Sequence, residues 1–336
     1  MTARSTVSMQ SIADELGVSK VTVSKALNGK DGVSDLLKER IMQTAAARGY
    51  VLPNYGQRKA RTVAIIMSER FAKSDAGNLY MRIYGNIIHQ LRLCSYSGVM
   101  FAPNAENLDK DVETLEKAGM FDGLILLGLL ERKVRERMQQ IALPKVYVDV
   151  YDETYCSDSV VTENIYSAYE LTKYLIQKGH KKIGFVGTLG ATTSISDRYL
   201  GYQRALMERG LSVKSEWIVS DRDAEGAAIE LQLPKELPTA FMCNCDETAF
   251  RMVKTLRSHE LLVPENVSVV GFDNDIYAKL CEPALTTMEV NAGEIGKMAV
   301  KRLEKCMESP EKKYGTVFRI PGSLIQRDSV KELIGE

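Results

Sequence analysis

The sequence predicts an N-terminal three-helix headpiece of helix-turn-helix type, followed by an α/β core of two doubly wound lobes. Residues 11–48 carry three short amphipathic patterns, with a glycine between the first two. From Thr62 onward, apolar strand-like runs alternate with helical patterns in two series of similar length. The charge also divides: residues 1–61 hold ten Lys and Arg against five Asp and Glu, a balance of +5 that leaves −5 for the rest of a formally neutral chain. A small basic module on a larger acidic body suits an anionic partner for the first part only. At 336 residues the chain is long enough for two or more domains.

In the headpiece, Ile12, Ala13 and Leu16 share one face of a first helix. Gly17 supplies the positive φ of a sharp turn, which Val18 plugs. Ser19 suits the N-cap of a second helix in which Val23, Ala26 and Leu27 face inward. Lys20, Val21, Ser24 and Lys25 share the opposite face, Thr22 lies at its edge, and Asn28-Gly29 ends the helix. Ser34 caps a third helix, with Leu37, Ile41 and Ala45 inward. The outward face of the second helix has cations that reach guanine edges or phosphates, hydroxyls suited to phosphates, and a valine able to pack on a thymine methyl. It is expected to enter the major groove of DNA; the alternative is a solvated face in a generic three-helix bundle.

In the core, strands are expected at 62–67, 98–103, 123–128, 145–150, 182–187, 217–220, 240–244 and 268–273, with one late strand through "TVFRIPGSLIQR". The helices between them are expected at 79–94, 108–118, 131–140, 164–178 with Asn164 as its cap, 197–209 with Arg198 at its start, 246–259 and 292–307. Ligands of parallel sheets sit beyond the carboxyl ends of strands, which singles out Asp149 after "VYV", Asp273 at the end of "SVVGFD", and Arg198 after the loop "GTLGATTSISD". Carboxylates and a guanidinium fork can make paired hydrogen bonds to vicinal hydroxyls, so this polarity suits a sugar or sugar derivative.

The run "MQSIADELGVSKVTVSKALNGKDGVSDLLKERIMQTAAARGYVLPN" resembles the headpiece of the LacI/GalR family of bacterial transcription regulators, and the likeness continues through most of the chain. The resemblance implies Lys20 and Val21 at base edges, Lys25 one turn on, and Thr22, Ser24 and Asn28 near the DNA backbone and helix-packing contacts. Ser19 and Tyr50 complete the expected DNA-contacting residues of the headpiece, and Arg58, Lys59 and Arg61 supply phosphate contacts from the linker. It also implies a periplasmic-binding-protein-like core whose chain crosses between lobes near 160, 290 and 320. The expected domains are a headpiece at 1–50, a linker at 51–61 and a core at 62–336. Within the core, lobe 1 covers about 62–160 plus 291–320, and lobe 2 about 161–290 plus 321–332. The expected effector-binding residues are Tyr80 in "NLYMRIYG", Asp149, Arg198 in "DRYLGYQRAL", Asn244, Cys245 and Asp273.

The chain departs from the family pattern in two places. The linker "LPNYGQRKARTVAII" is short, lacks the leucine that pries open a minor-groove step, and carries Gly56, which disfavours a hinge helix. In "CNCDETA", Cys245 stands where many relatives place a ligand-contacting asparagine, with Asn244 one residue earlier; either Asn244 replaces that contact or the effector differs.

The function implied is a DNA-binding transcription regulator, a repressor controlled by a carbohydrate-like effector, acting as a homodimer on a near-palindromic operator. "DSVKELIGE" carries no heptad pattern, so a dimer rather than a tail-linked tetramer is expected. The rival readings are a solute-binding protein without a DNA role, a regulator acting through a protein co-repressor, and a sugar-active enzyme. His89, His180 and His259 have no partnered nucleophile, so no enzyme is expected. Cys243-x-Cys245 has no second pair at zinc spacing, and neither a metal nor a cofactor is expected. "GFVGTLG" lacks dinucleotide-binding spacing and reads as a cleft loop, with a phosphate loop as the alternative. The six cysteines are scattered, no signal peptide precedes them, and "LILLGLL" is too short to span a bilayer; the expected setting is the cytoplasm, with no membrane partner.

Overall fold

The computed structural model describes residues 8–27, 32–48, 50, 61–72, 79–104, 106–151, 154, 156–224, 226–311 and 315–333. The chain divides into two compact units, Met1–Ala60 and Arg61–Glu336.

The first unit holds α1 (Met9–Leu16), α2 (Lys20–Leu27) and α3 (Asp35–Ala47). Ser8 caps α1 in a reciprocal capping box with Ser11, and Gly17 closes the helix at φ 63°. Ser19 caps α2, its Oγ accepting the Thr22 N–H at 3.0 Å. Ile12, Ala13, Val23, Ala26, Ile41 and Ala45 form the small core, as a three-helix headpiece requires.

The second unit is the two-lobed α/β body. In chain order, lobe 1 contributes β1 (Arg61–Met67), α4 (Glu69–Ala72), α5 (Leu79–Leu93), β2 (Tyr96–Phe101), α6 (Leu108–Glu116), β3 (Gly123–Leu127), α7 (Arg132–Gln140), β4 (Lys145–Val148) and β5 (Asp158–Thr162). Lobe 2 follows with α8 (Asn164–Gln177), β6 (Ile183–Val186), α9 (Thr193–Met207), β7 (Ile218–Val219), β8 (Ala240–Cys243), α10 (Asp246–Ser258), β9 (Ser268–Asp273), α11 (Ile276–Leu280) and β10 (Thr286–Glu289). The chain then returns through α12 (Ala292–Glu308), β11 (Val317–Ile320) and β12 (Ser323–Ile325). The lobe 1 sheet runs β11-β5-β4-β3-β1-β2 and the lobe 2 sheet β12-β10-β9-β8-β6-β7. Every pairing is parallel except that of β12 with β10.

The chain therefore changes lobe between β5 and α8, between β10 and α12, and between β11 and β12. One apolar cluster continues from Val63 and Ile83 in lobe 1 to Phe185 and Val270 in lobe 2. Separate clusters cover the outer faces, around Leu126 and Val134 in lobe 1 and Phe241 and Met252 in lobe 2.

Local expectations need correction in several places; β10, α4 and α11 were not expected at all. The late strand is two strands, one in each sheet: Pro321 lacks a ladder donor, and Gly322 passes so close to Glu289 that a Cβ would lie 2.8 Å from its carbonyl oxygen. The cap of α8 is Glu163, whose carboxylate accepts the Tyr166 N–H, while Asn164 is helical and buried. Helix α9 starts four residues before 197, capped by Thr192, so Arg198 lies inside it. Strand β5 has no apolar run to announce it. Its first residue, Asp158, is fully buried and accepts from Arg302 Nη2 at 2.6 Å and from the N–H groups of Gly315 and Thr316 at 3.0 and 2.9 Å.

Candidate functional site

The headpiece presents α2 as expected from its apolar spacing. Val23 and Ala26 are buried, while Ser19, Lys20, Val21 and Lys25 are exposed and Thr22 and Ser24 half-buried. Val21 keeps 64% of its surface exposed, an apolar group with no core role. The Ser19 and Thr22 hydroxyls lie 2.8 Å apart and share a hydrogen bond. Tyr50 packs against the helical core, and its backbone N–H donates to the Ala45 carbonyl at 2.9 Å. Asn28, Arg58, Lys59 and the linker hinge lie outside the described residues. Arg61 opens β1, stacked over the Tyr96 ring.

In the second unit, the carboxyl ends of strands in both lobes converge on a cavity of about 110 Å³ whose lining includes Tyr80, Asp149, Arg198, Asn244, Cys245 and Asp273. All six residues singled out in the core sequence are therefore brought together. On the lobe 1 side, the Tyr80 hydroxyl donates to Asp149 Oδ2 at 2.7 Å, and its ring stacks on Phe71 with centroids 4.0 Å apart. Gly128 makes room for that ring, since a Cβ there would lie 2.7 Å from it.

On the lobe 2 side, Arg198 Nε donates to Asn164 Oδ1 at 2.9 Å and Nη1 to the Asn244 carbonyl at 2.6 Å. The guanidinium lies 3.7 Å from the centroid of the Phe272 ring. Its Nη2 is 3.3 Å from Asp273 Oδ1, an ion pair without the alignment of a hydrogen bond. The Asn244 amide nitrogen donates to Val186 O, Asp221 Oδ2 and Thr248 Oγ1 at 3.0, 2.8 and 3.3 Å. Its donors are thus engaged within lobe 2. Cys245 caps α10 and directs its thiol to Thr248 Oγ1 at 3.3 Å.

Asp149 and Asp273 occupy equivalent places, one just past β4 and one at the end of β9. Both have left-handed backbones, φ 61° and 108°, at a cost of roughly 1–3 kcal/mol each. Both are buried, and the Oδ1 of each has no hydrogen-bond partner among the described residues. Burial pushes the carboxyl of Asp273 up to about 7, with Arg198 opposing the rise. Burial also raises Asp149 and, with the adjacent Asp149 carboxylate, lifts the Tyr80 phenol well above its usual value. Burial moves the Cys245 thiol up to about 12, which keeps it protonated and a weak donor.

This arrangement can bind a compact polar molecule between preset acids and a fixed guanidinium. Among the described residues no group of three His, Cys, Asp or Glu is placed to hold a metal, and no helix is long and apolar enough to cross a membrane.

Comparison with known proteins agrees with both halves. Residues 8–54 match the family described as bacterial regulatory proteins, lacI family, and residues 172–330 match the periplasmic binding protein-like domain. The chain thus joins a lacI-family helix-turn-helix headpiece to a periplasmic-binding-protein-like domain. It is 28% identical over 335 residues to the HTH-type transcriptional regulator RegA of Clostridium saccharobutylicum, covering 96% of this chain and 98% of that protein. The structure of the transcriptional regulator CelR–cellobiose complex superposes with a TM-score of 0.70 at 23% identity, covering 96% of this chain and 99% of that one. The lac repressor dimer bound to operator and the anti-inducer ONPF gives 0.64 at 20% identity, covering 97% and 100%.

Several residues of the cleft were not anticipated from the sequence. Phe71, Thr192, Ser194, Arg222, Glu247 and Asp275 also line it. Asp275 lies two residues past the "GFD" strand end, and Asp221-Arg222 directly follows the short run "WIVS", the same strand-end signal that pointed to Asp149.

Proposed function

We propose that this protein is a sequence-specific DNA-binding transcription regulator, a repressor, whose operator affinity is set by a small polyhydroxy effector in the interlobe cleft. The observation that carries this reading is the pair of buried, strained carboxylates, Asp149 and Asp273, facing Arg198 in a chain that begins with a lacI-family headpiece. Folding alone does not call for two buried acids each with an oxygen that accepts no hydrogen bond; a ligand donor would satisfy them.

The relatives support each part. RegA is named as a transcriptional regulator, the CelR neighbour holds cellobiose, and the lac repressor neighbour is a dimer on its operator. By the same logic this chain acts as a homodimer on a near-palindromic site in the cytoplasm. One headpiece of this size buries too little surface for strong specific binding. Lys20 and Val21 read base edges and Lys25 follows one turn on, with Ser19, Thr22, Ser24, Asn28, Tyr50, Arg58 and Lys59 as supporting contacts. Effector binding shifts the balance between two lobe arrangements, and the coupling to DNA is on the order of 1–3 kcal/mol.

The test is selection of DNA from a random pool by the full chain, followed by effector titration on the selected site. A near-palindrome should be enriched, Lys20→Ala should relax the preference, and Arg198→Ala should abolish the effector response while operator binding persists. An unenriched pool, or a response that survives Arg198→Ala, overturns the reading.

A further inference from the structure

The cleft presents a ligand with acceptors and with more carboxylates than guanidiniums. Its lining holds four carboxylates, Asp149, Asp273, Asp275 and Glu247, against two guanidiniums, Arg198 and Arg222. Arg222 is already matched: its Nε and Nη2 clasp Asp221 at 3.1 and 2.7 Å. Arg82 of α5 does not line the cavity, and its Nη1 donates to the carbonyls of Asp273 and Asn274 at 3.1 and 3.0 Å. Arg198 spends Nε and Nη1 inside lobe 2, as does the Asn244 amide. Against these donors stand two buried oxygens without a hydrogen-bond partner among the described residues: Asp149 Oδ1, and Asp273 Oδ1, which has only the unaligned ion pair with Arg198 Nη2.

A neutral hydroxyl could donate to either oxygen and accept from Arg198 Nη2 or from the Thr192 and Ser194 hydroxyls, but it leaves the excess of carboxylates over guanidiniums unanswered. An ammonium brings three donors, no acceptor and a charge opposite to the surplus. We propose that the effector carries an ammonium group among its hydroxyls, as an amino sugar or another polyhydroxy amine does, and that this group sits between Asp149 of lobe 1 and Asp273 of lobe 2. The proposal rests on reading the cleft as the effector site and names the ligand class for it.

The experiment uses the full chain and matched compounds. Tris is compared with 1,1,1-tris(hydroxymethyl)ethane, the neutral triol of the same shape, and glucosamine with glucose; glucose 6-phosphate is the anionic arm. Thermal unfolding is followed by the fluorescence of Trp217, the sole tryptophan, which is buried in lobe 2. At least one amine should stabilise the protein at a concentration about tenfold below its neutral match, as expected of a charge-assisted contact. Asp149→Asn and Asp273→Asn should each bring that ratio close to one.

A neutral or phosphorylated sugar that outranks its amine, a preference that survives both substitutions, or a panel with no binder overturns the proposal. The ranking on the unsubstituted chain stands as a test even where a variant fails to fold. If glucose outranks glucosamine and Arg198→Ala removes the glucose shift, the cleft remains the effector site and the ammonium assignment alone falls.

Discussion

The two lobes are built on six-stranded sheets of matching order, yet they line the cleft in different ways. Lobe 2 brings a hydrogen-bonded network. Asp221 accepts from the Thr188 N–H, Arg222, the Asn244 amide and the Thr248 hydroxyl, and Asp246 accepts from the Thr287 hydroxyl and the Asp275 N–H. Lobe 1 brings one polar pair, Tyr80 and Asp149, against the Phe71 ring, with one carboxylate oxygen unpaired. The difference separates two tasks. Lobe 2 fixes the position of Arg198 before any ligand arrives, so little ordering cost remains at binding. Lobe 1 holds back an acceptor whose satisfaction depends on a ligand.

The largest expected effect tests this division through stability. Asp221 is fully buried. Burial alone would raise its pKa, but Arg222, Asn244 and the Thr188 N–H reverse that and hold the carboxyl far below the usual carboxylate range. Asp221→Ala removes one partner of a buried pair and strands the others, which should cost about 3–5 kcal/mol. Asp149→Asn keeps the side-chain shape, tolerates the left-handed backbone and removes a buried charge, so it should change stability by less than about 1 kcal/mol. Urea denaturation followed at Trp217 measures both. Equal losses would mean that the two sides of the cleft carry stability alike.

The same division explains what could be read in the sequence. Strands sealed on both faces announce themselves by composition: "SVVGFD" was expected at 268–273, and β9 occupies those residues. The strand-end acids were legible because connectivity alone places them at the cleft. The lobe 2 network was not, since Asp221, Asn244 and Thr248 meet only when the ends of β7 and β8 and the start of α10 assemble. Strand β5 escaped notice for a related reason: Asp158 is buried by its bonds to Arg302 and to the backbone before β11, about 150 residues on, and no local pattern encodes a partner so distant. The break at Pro321-Gly322 was present in the text as a turn dipeptide, but the apolar residues on both sides outweighed it.

An effect of intermediate size concerns the acid shared between the two tasks. Asp273 sees Arg198 from α9, Arg82 from α5, Asp149 across the cleft and Asp275 two residues on. Its carboxyl, at about 7 when folded, lies above the unfolded value of about 3.9. Between those values the folded chain binds a proton that the unfolded chain does not, so stability rises as pH falls from 7 toward 4. Asp275, raised by burial to about 6, acts in the same direction. The Asp273 contribution between pH 7 and pH 5 should be about 2 kcal/mol, and Asp273→Asn should remove it. A profile unchanged by the substitution would place the proton elsewhere.

The smallest effect probes the seam between the lobes. The Tyr151 hydroxyl, just after β4, donates to Asp197 Oδ2 of α9 at 2.6 Å, so one hydrogen bond ties lobe 1 to the helix that carries Arg198. Burial, followed by Asp197, pushes this phenol up to about 12, so the bond persists across the neutral range. Tyr151→Phe removes the bond and leaves the ring, which should lower global stability by only about 1 kcal/mol. Its clearer effect should be on the effector. If the observed arrangement is the one that grips ligand, loosening it weakens binding up to about fivefold without altering operator selection. Calorimetric titration of the unsubstituted chain and the variant with the same compound reads that ratio. Unchanged affinity together with lost stability would assign this bond to folding and leave the lobes coupled through the Arg82 contacts instead.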